Sequence, residues 1–152
     1  MAWTLNILMA DGHPLSVLGM RNFLAAVPGL VLLGVANNMA QASEILARKK
    51  IDLIILELNF PSRPSVEALQ SFKDRWPRVP VLVFTSCAES EFGLRALLAG
   101  ADGYLSKTAS QQEFIEAVRK VAGGYKHLSP HLAATLAAHL HASRSQTHRR
   151  RV

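Results

Sequence analysis

Apolar and polar residues alternate along this chain with a recurring form: a short apolar run that ends in one polar side chain. Ile7-Leu8-Met9-Ala10 leads into Asp11, Leu53-Ile54-Ile55-Leu56 into Glu57, Val81-Leu82-Val83-Phe84 into Thr85, and Gly103-Tyr104-Leu105-Ser106 into Lys107. Continuous apolar runs of this length are the pattern of parallel strands buried on both faces. Between them lie segments with helical spacing. Leu15, Leu18, Phe23, Leu24 and Val27 predict a helix over about Pro14–Ala26, with Pro14 in the first turn, where no amide donor is needed. A second strand is expected at Leu30–Ala36, after the Pro28-Gly29 stop. A second helix over Met39–Lys49 sets Ala42, Ile45 and Leu46 against Glu44, Arg48 and Lys49.

A proline-marked loop after Glu57 predicts a third helix from a Ser65 cap to about Trp76. Ser90–Ala99 reads as the fourth helix, with Gly100 as its C-cap. Gln111–Ala122 reads as the fifth, with Ser110 as N-cap and Glu113 at capping-box spacing. Strand and helix thus alternate five times with short connections, which predicts a doubly wound parallel α/β sheet with helices on both faces. In such sheets ligands collect beyond the carboxyl ends of the strands, at the point where strand order reverses. Asp11, Glu57, Thr85 and Lys107 are therefore expected to converge. Beyond Gly123-Gly124, Ser129-Pro130 opens an alanine-rich helix expected to end near Ala142, with Leu132, Leu136 and Leu140 as an apolar stripe. Residues 1–124 form the expected domain, 125–142 a linker helix and 143–152 a basic flexible tail.

Composition narrows the function classes. A chain of 152 residues with 49% hydrophobic and 18% charged residues can bury a core as one domain. Cys87 is the single cysteine, so no internal disulfide forms, and with no signal-peptide pattern or membrane-length run the expected location is the cytoplasm, without a membrane partner. The net charge of +6 is concentrated at the end: without Arg144, Arg149, Arg150 and Arg151, 13 basic residues face 11 acidic ones. Such a basic stretch suits a solvated linker, a phosphate backbone or an acidic membrane surface. Five of the six histidines lie at or beyond His127, at no recognised ligand spacing. His13, before Pro14, reads as a helix-entry residue and Cys87 as a small buried filler.

Four of these segments, Ile-Leu-Met-Ala-Asp-Gly-His-Pro, Asp-Leu-Ile-Ile-Leu-Glu-Leu-Asn-Phe-Pro, Val-Leu-Val-Phe-Thr-Ser and Gly-Ala-Asp-Gly-Tyr-Leu-Ser-Lys, stand in order over about residues 5–122. Together they resemble the receiver domain of two-component response regulators. The Asp-x-His-Pro start and the Gly-Gly-x-x-x-Leu-Ser-Pro exit resemble the NarL/FixJ (LuxR-type) branch, whose receivers usually precede a helix-turn-helix. The resemblance implies a flavodoxin-like (βα)5 fold with strand order 2-1-3-4-5 plus the extra C-terminal helix, and a signalling role without enzymatic activity. It also implies an acidic pair that holds Mg²⁺ after the first strand, a phosphoacceptor aspartate after the third, and a Thr/Ser and a Lys that bind the phosphoryl group. Thr85 and Lys107 match, and Tyr104 stands where an aromatic couples to the threonine. Asp11 matches the first acid, but Gly12 replaces the second and Glu57 stands in the acceptor position.

That departure carries a physical cost. A site cut from three acids to two attracts Mg²⁺ less, so no cofactor is expected and Asp11 is left as a weak residual ligand. Glutamate carries its carboxylate about 1.5 Å farther out, and a misplacement of order 1 Å can cost ~10²-fold in rate. Glu57 is not expected to be phosphorylated. It either imitates a phosphorylated state with a permanent charge or pairs with Lys107 as a fixed structural link. Two functions fit: an atypical, phosphorylation-independent regulatory half of a LuxR-type transcription regulator, or a stand-alone pseudo-receiver for protein interaction or dimerisation. Expected partners are proteins, a histidine kinase or a DNA-binding domain among them. A homodimer is expected through the leucine stripe, and DNA contact only through a domain absent from this chain.

Overall fold

The computed structural model describes residues 4–151, with Arg151 described in its backbone only. Five strands, β1 (Leu5–Ala10), β2 (Leu30–Ala36), β3 (Leu53–Leu56), β4 (Val81–Thr85) and β5 (Gly103–Ser106), form one parallel sheet in the order β2-β1-β3-β4-β5. The helices are α1 (Pro14–Ala25), α2 (Met39–Arg48), α3 (Glu67–Arg75), α4 (Glu89–Leu98), α5 (Gln111–Ala122) and α6 (Pro130–Arg151). The predicted flavodoxin-like topology is therefore present. Among the described residues no helix is long and apolar enough to cross a membrane.

Strand alternation divides the core into two layers. Ile7, Met9, Leu53, Ile55 and Leu82 pack with Met20, Leu24, Phe114 and Val118 of α1 and α5. Leu8, Ile54, Leu56, Val81 and Val83 pack with Ala42, Leu69, Phe72 and Ala96 of α2, α3 and α4. All four β3 residues are buried because this strand lies between β1 and β4, under helices on both faces. Gly34 lets α2 approach β2: a Cβ there would stand 2.9 Å from Ile45 Cγ2. Gly100 ends α4 at φ +107, a left-handed position that favours glycine.

Ser110 caps α5 as expected, and Asn38, not singled out as a cap in the sequence, caps α2. Ser110 Oγ accepts from Glu113 N at 3.1 Å and Asn38 Oδ1 from Gln41 N at 2.9 Å. Ser65 Oγ accepts from Glu67 N at 3.0 Å, yet α3 begins two residues later than Ser65, with Val66 as the flanking residue.

The C-terminal region differs from the sequence reading in two respects. The segment between α5 and α6 belongs to the domain instead of leaving it. His127 bridges in parallel to Gly103, its carbonyl accepts from Tyr104 N at 3.1 Å, and Lys126 Nζ reaches Asp102 at 2.7 Å. Leu132 is then buried on α4 opposite Gly93, and Ser129 Oγ donates to Glu89 at 2.8 Å. Second, α6 does not stop at Ala142 to give a flexible tail; it continues to Arg151. No glycine or proline follows Pro130, arginine and glutamine are good helix formers, and Thr147 Oγ1 bonds back to the Ser143 carbonyl at 3.0 Å.

Candidate functional site

The sheet's order reverses between β1 and β3, and the side chains that follow these two strands meet there. Asp11 and Glu57 are each 2% exposed and Thr85 is fully buried. Lys107, carried one residue past β5, reaches across the strand ends to join them. Its Nζ stands 2.8 Å from Asp11 Oδ2 and 3.5 Å from Glu57 Oε1, and donates to Ser16 Oγ at 3.2 Å. One ammonium thus bridges two buried carboxylates.

The remaining oxygens are taken by local donors. Asp11 Oδ1 accepts from His13 N at 2.9 Å, and the His13 ring Nδ1 lies 2.8 Å away. Burial alone would raise the Asp11 pKa, but hydrogen bonds from Lys107 and His13 outweigh it and hold this carboxyl below its ordinary range. Glu57 Oε2 accepts from Leu58 N at 2.9 Å, while Oε1 accepts from Asn59 Nδ2 at 3.2 Å and Ser86 Oγ at 3.3 Å. The longer glutamate arm therefore folds back against its own strand exit.

Thr85 is next to this cluster, with its Oγ1 accepting from Cys87 N at 3.1 Å. Tyr104, 3% exposed, donates its hydroxyl to the Cys87 carbonyl at 2.8 Å. Burial pushes the tyrosine pKa far up, with the nearby Cys87, Glu89, Glu57 and Glu91 adding to it, so the hydroxyl stays a donor. Thr85 and Tyr104 are linked through the backbone of Cys87. Gly12 lies at the rim, and a Cβ there would meet only ordinary contacts, 3.7 Å from the Pro61 carbonyl and 3.9 Å from Asn37.

Asp11, Glu57, Thr85 and Lys107 thus gather at one sheet edge, with Tyr104 behind Thr85. Asn59, Ser86 and Ser16 complete the cluster and escaped the sequence reading, although Ser86 and Asn59 stand one and two residues after singled-out positions. Mg²⁺ sites are built from oxygen ligands, and here one acid of the expected pair is missing at Gly12. Both Asp11 oxygens and both Glu57 oxygens accept hydrogen bonds within the cluster. Among the described residues, no group of three His, Cys, Asp or Glu side chains is arranged to hold a metal.

Five parallel strands in this order, with an acid, a threonine and a lysine brought together at their carboxyl ends, define a receiver-type signalling domain. Residues 7–119 match the family model described as the response regulator receiver domain, and the chain belongs to that family. It is LuxR/NarL-like. The nitrate/nitrite response regulator protein NarL of Escherichia coli K12 is 33% identical over 143 residues, covering 94% of this chain and 66% of NarL. Response regulator GacA of Pseudomonas aeruginosa is 31% identical over 133 residues, covering 88% of this chain and 62% of GacA. A LuxR-family two-component response regulator from Aurantimonas sp. SI85-9A1 superimposes with a TM-score of 0.78 at 26% identity, covering 90% of this chain and 97% of that one. The chain accordingly spans just under two thirds of the curated relatives' length. Receivers of this type are signalling proteins and not enzymes.

Proposed function

We propose that this chain is a phosphorylation-independent receiver, the regulatory part of a LuxR-type transcription regulator whose conformation is set by an internal ion-pair cluster. The observation that carries this reading is the bonding of Glu57. The side chain in the acceptor position has both oxygens committed, to Leu58 N on one side and to Asn59, Ser86 and Lys107 on the other. A nucleophilic carboxylate must instead present a free oxygen to the incoming phosphorus within reacting distance. Gly12 removes the second acid, and Lys107 neutralises part of what remains.

The bonding pattern favours Glu57 as a fixed link over an imitation of the phosphorylated state. An imitating carboxylate would take the Thr85 hydroxyl as its donor, yet the hydroxyl that reaches Glu57 is that of Ser86, while Thr85 Oγ1 holds the Cys87 amide. Signals then enter through protein contact, from a kinase or another partner, and leave through a DNA-binding domain of the kind found in LuxR-type regulators. The test is a titration with Mg²⁺ and beryllofluoride, followed by backbone amide NMR. Amide signals of Leu58, Ser86 and Lys107 are expected to stay in place at millimolar reagent; saturable shifts at these three would refute the reading.

A further inference from the structure

The outer half of α6 has no place in the receiver site. From Ala137 to Arg150 every residue is exposed, so this part of the helix stands away from the domain that Leu132 anchors. Arg144, Arg149 and Arg150 lie on it, no Asp or Glu side chain stands at positions 117–152, and none of the ion pairs among the described residues involves these arginines. Ser143, Ser145, Gln146 and Thr147 are interleaved with them.

We infer that the outer half of α6 is a docking surface for the phosphate backbone of duplex nucleic acid. The inference is independent of the phosphorylation reading, and it places nucleic-acid contact on this chain itself rather than only on a separate DNA-binding domain. Charge complementarity selects a polyanion, and three further features select among polyanions. All the cations are arginines, whose planar forks match phosphate oxygens in pairs. Short hydroxyl and amide side chains between arginines are the usual companions in phosphate contacts. A helix free on all sides, about 10–12 Å across, has the cross-section that the major groove admits.

Other occupants fit poorly. Beyond Leu140 the described helix carries no large apolar residue, so it lacks the apolar face that a helix lying in a membrane interface buries. A second copy of α6 in parallel would oppose arginine to arginine with no acid to relieve the repulsion. An acidic protein partner would find no aromatic or aliphatic anchor of the kind that dominates protein interfaces.

The experiment uses the full chain and a labelled duplex DNA of arbitrary sequence, read by fluorescence anisotropy between 50 and 200 mM salt. With three phosphates neutralised, affinity should fall on the order of 40-fold over that range. The triple variant R144Q/R149Q/R150Q should lose roughly one unit of salt slope per arginine replaced, at unchanged helicity by circular dichroism. The control R63Q/R78Q/R119Q removes the same charge from the body of the domain and should bind as the parent does. The inference is overturned if the control weakens binding as much as the α6 variant. It is equally overturned if polyglutamate competes as well as duplex at matched charge, or if anionic vesicles bind the chain more tightly than duplex does.

Discussion

At the scale of single residues, the site is decided by how one lysine is shared. Lys107, about one-fifth exposed, is the cation for Asp11 and Glu57, both nearly inaccessible to water. Removing the partner of a buried charge leaves a desolvated carboxylate uncompensated, so Lys107→Met should lower stability by about 3 kcal/mol in urea unfolding at neutral pH. A loss below about 0.5 kcal/mol, the scale of an exposed ion pair, would mean that the cluster is solvated. Asp102 makes a second cluster, between Lys73 at 3.0 Å, Lys126 at 2.7 Å and Val81 N at 2.9 Å. Burial would raise its pKa, but the hydrogen bonds from Lys126, Val81 and Lys73 together lower it.

A carboxyl whose folded pKa is lowered adds stability at pH above its unfolded value, about 3.9 for aspartate. That contribution disappears as pH falls through the folded value. Asp102→Asn should therefore be destabilising at pH 7, and its unfolding free energy should begin to converge on the parent's only as pH falls below about 4. Curves that stay parallel from about pH 4 down to about pH 2 would show that the charge of Asp102 is not what matters.

At the scale of elements, α6 meets α4 through one tight contact. A Cβ on Gly93 would stand 2.9 Å from Leu132 Cδ1 and 3.0 Å from Glu89 Cγ. Overpacking of this kind costs about 1–3 kcal/mol, while alanine in a helix gains up to about 1 kcal/mol over glycine. Gly93→Ala should thus destabilise the parent by about 1 kcal/mol and be neutral or stabilising in a Leu132→Ala background. Additive effects in this double-mutant cycle would place α6 elsewhere. The leucine stripe that argued for a dimer is mostly used within the chain: Leu132 is buried on α4 and Leu136 half-buried, leaving Leu140 exposed.

At the scale of the whole molecule, the core and the sheet were legible in the sequence because burial on both faces forces continuous apolar strands. The convergence of Asp11, Glu57 and Lys107 followed from topology alone, since each residue directly succeeds a parallel strand. What stayed hidden depends on short polar side chains whose partners are set by three-dimensional proximity. Asn59, Ser86 and Ser16 have no periodicity to betray them. The bonding of Glu57 to its own strand exit depends on side-chain conformation, which residue type leaves open. The length of α6 was missed for a different reason: a polar, arginine-rich segment lacks an apolar face, so the pattern that identifies a packed helix is absent even where the backbone is helical.

In the proposed reading, Glu57 is held by its own hydrogen bonds and Gly12 leaves the acidic pair incomplete. A Cβ at Gly12 would meet only ordinary contacts, so Gly12→Asp restores the second acid without a clash at its first side-chain atom and supplies a direct control, with unchanged circular dichroism as the check on its fold. Intact mass is measured after incubation with acetyl phosphate and Mg²⁺, for the parent and for the double variant G12D/E57D. The parent should keep its mass while the double variant gains one phosphoryl group. A parent that takes up a phosphoryl group retained on Glu57, at a rate comparable to the double variant's, would contradict the account.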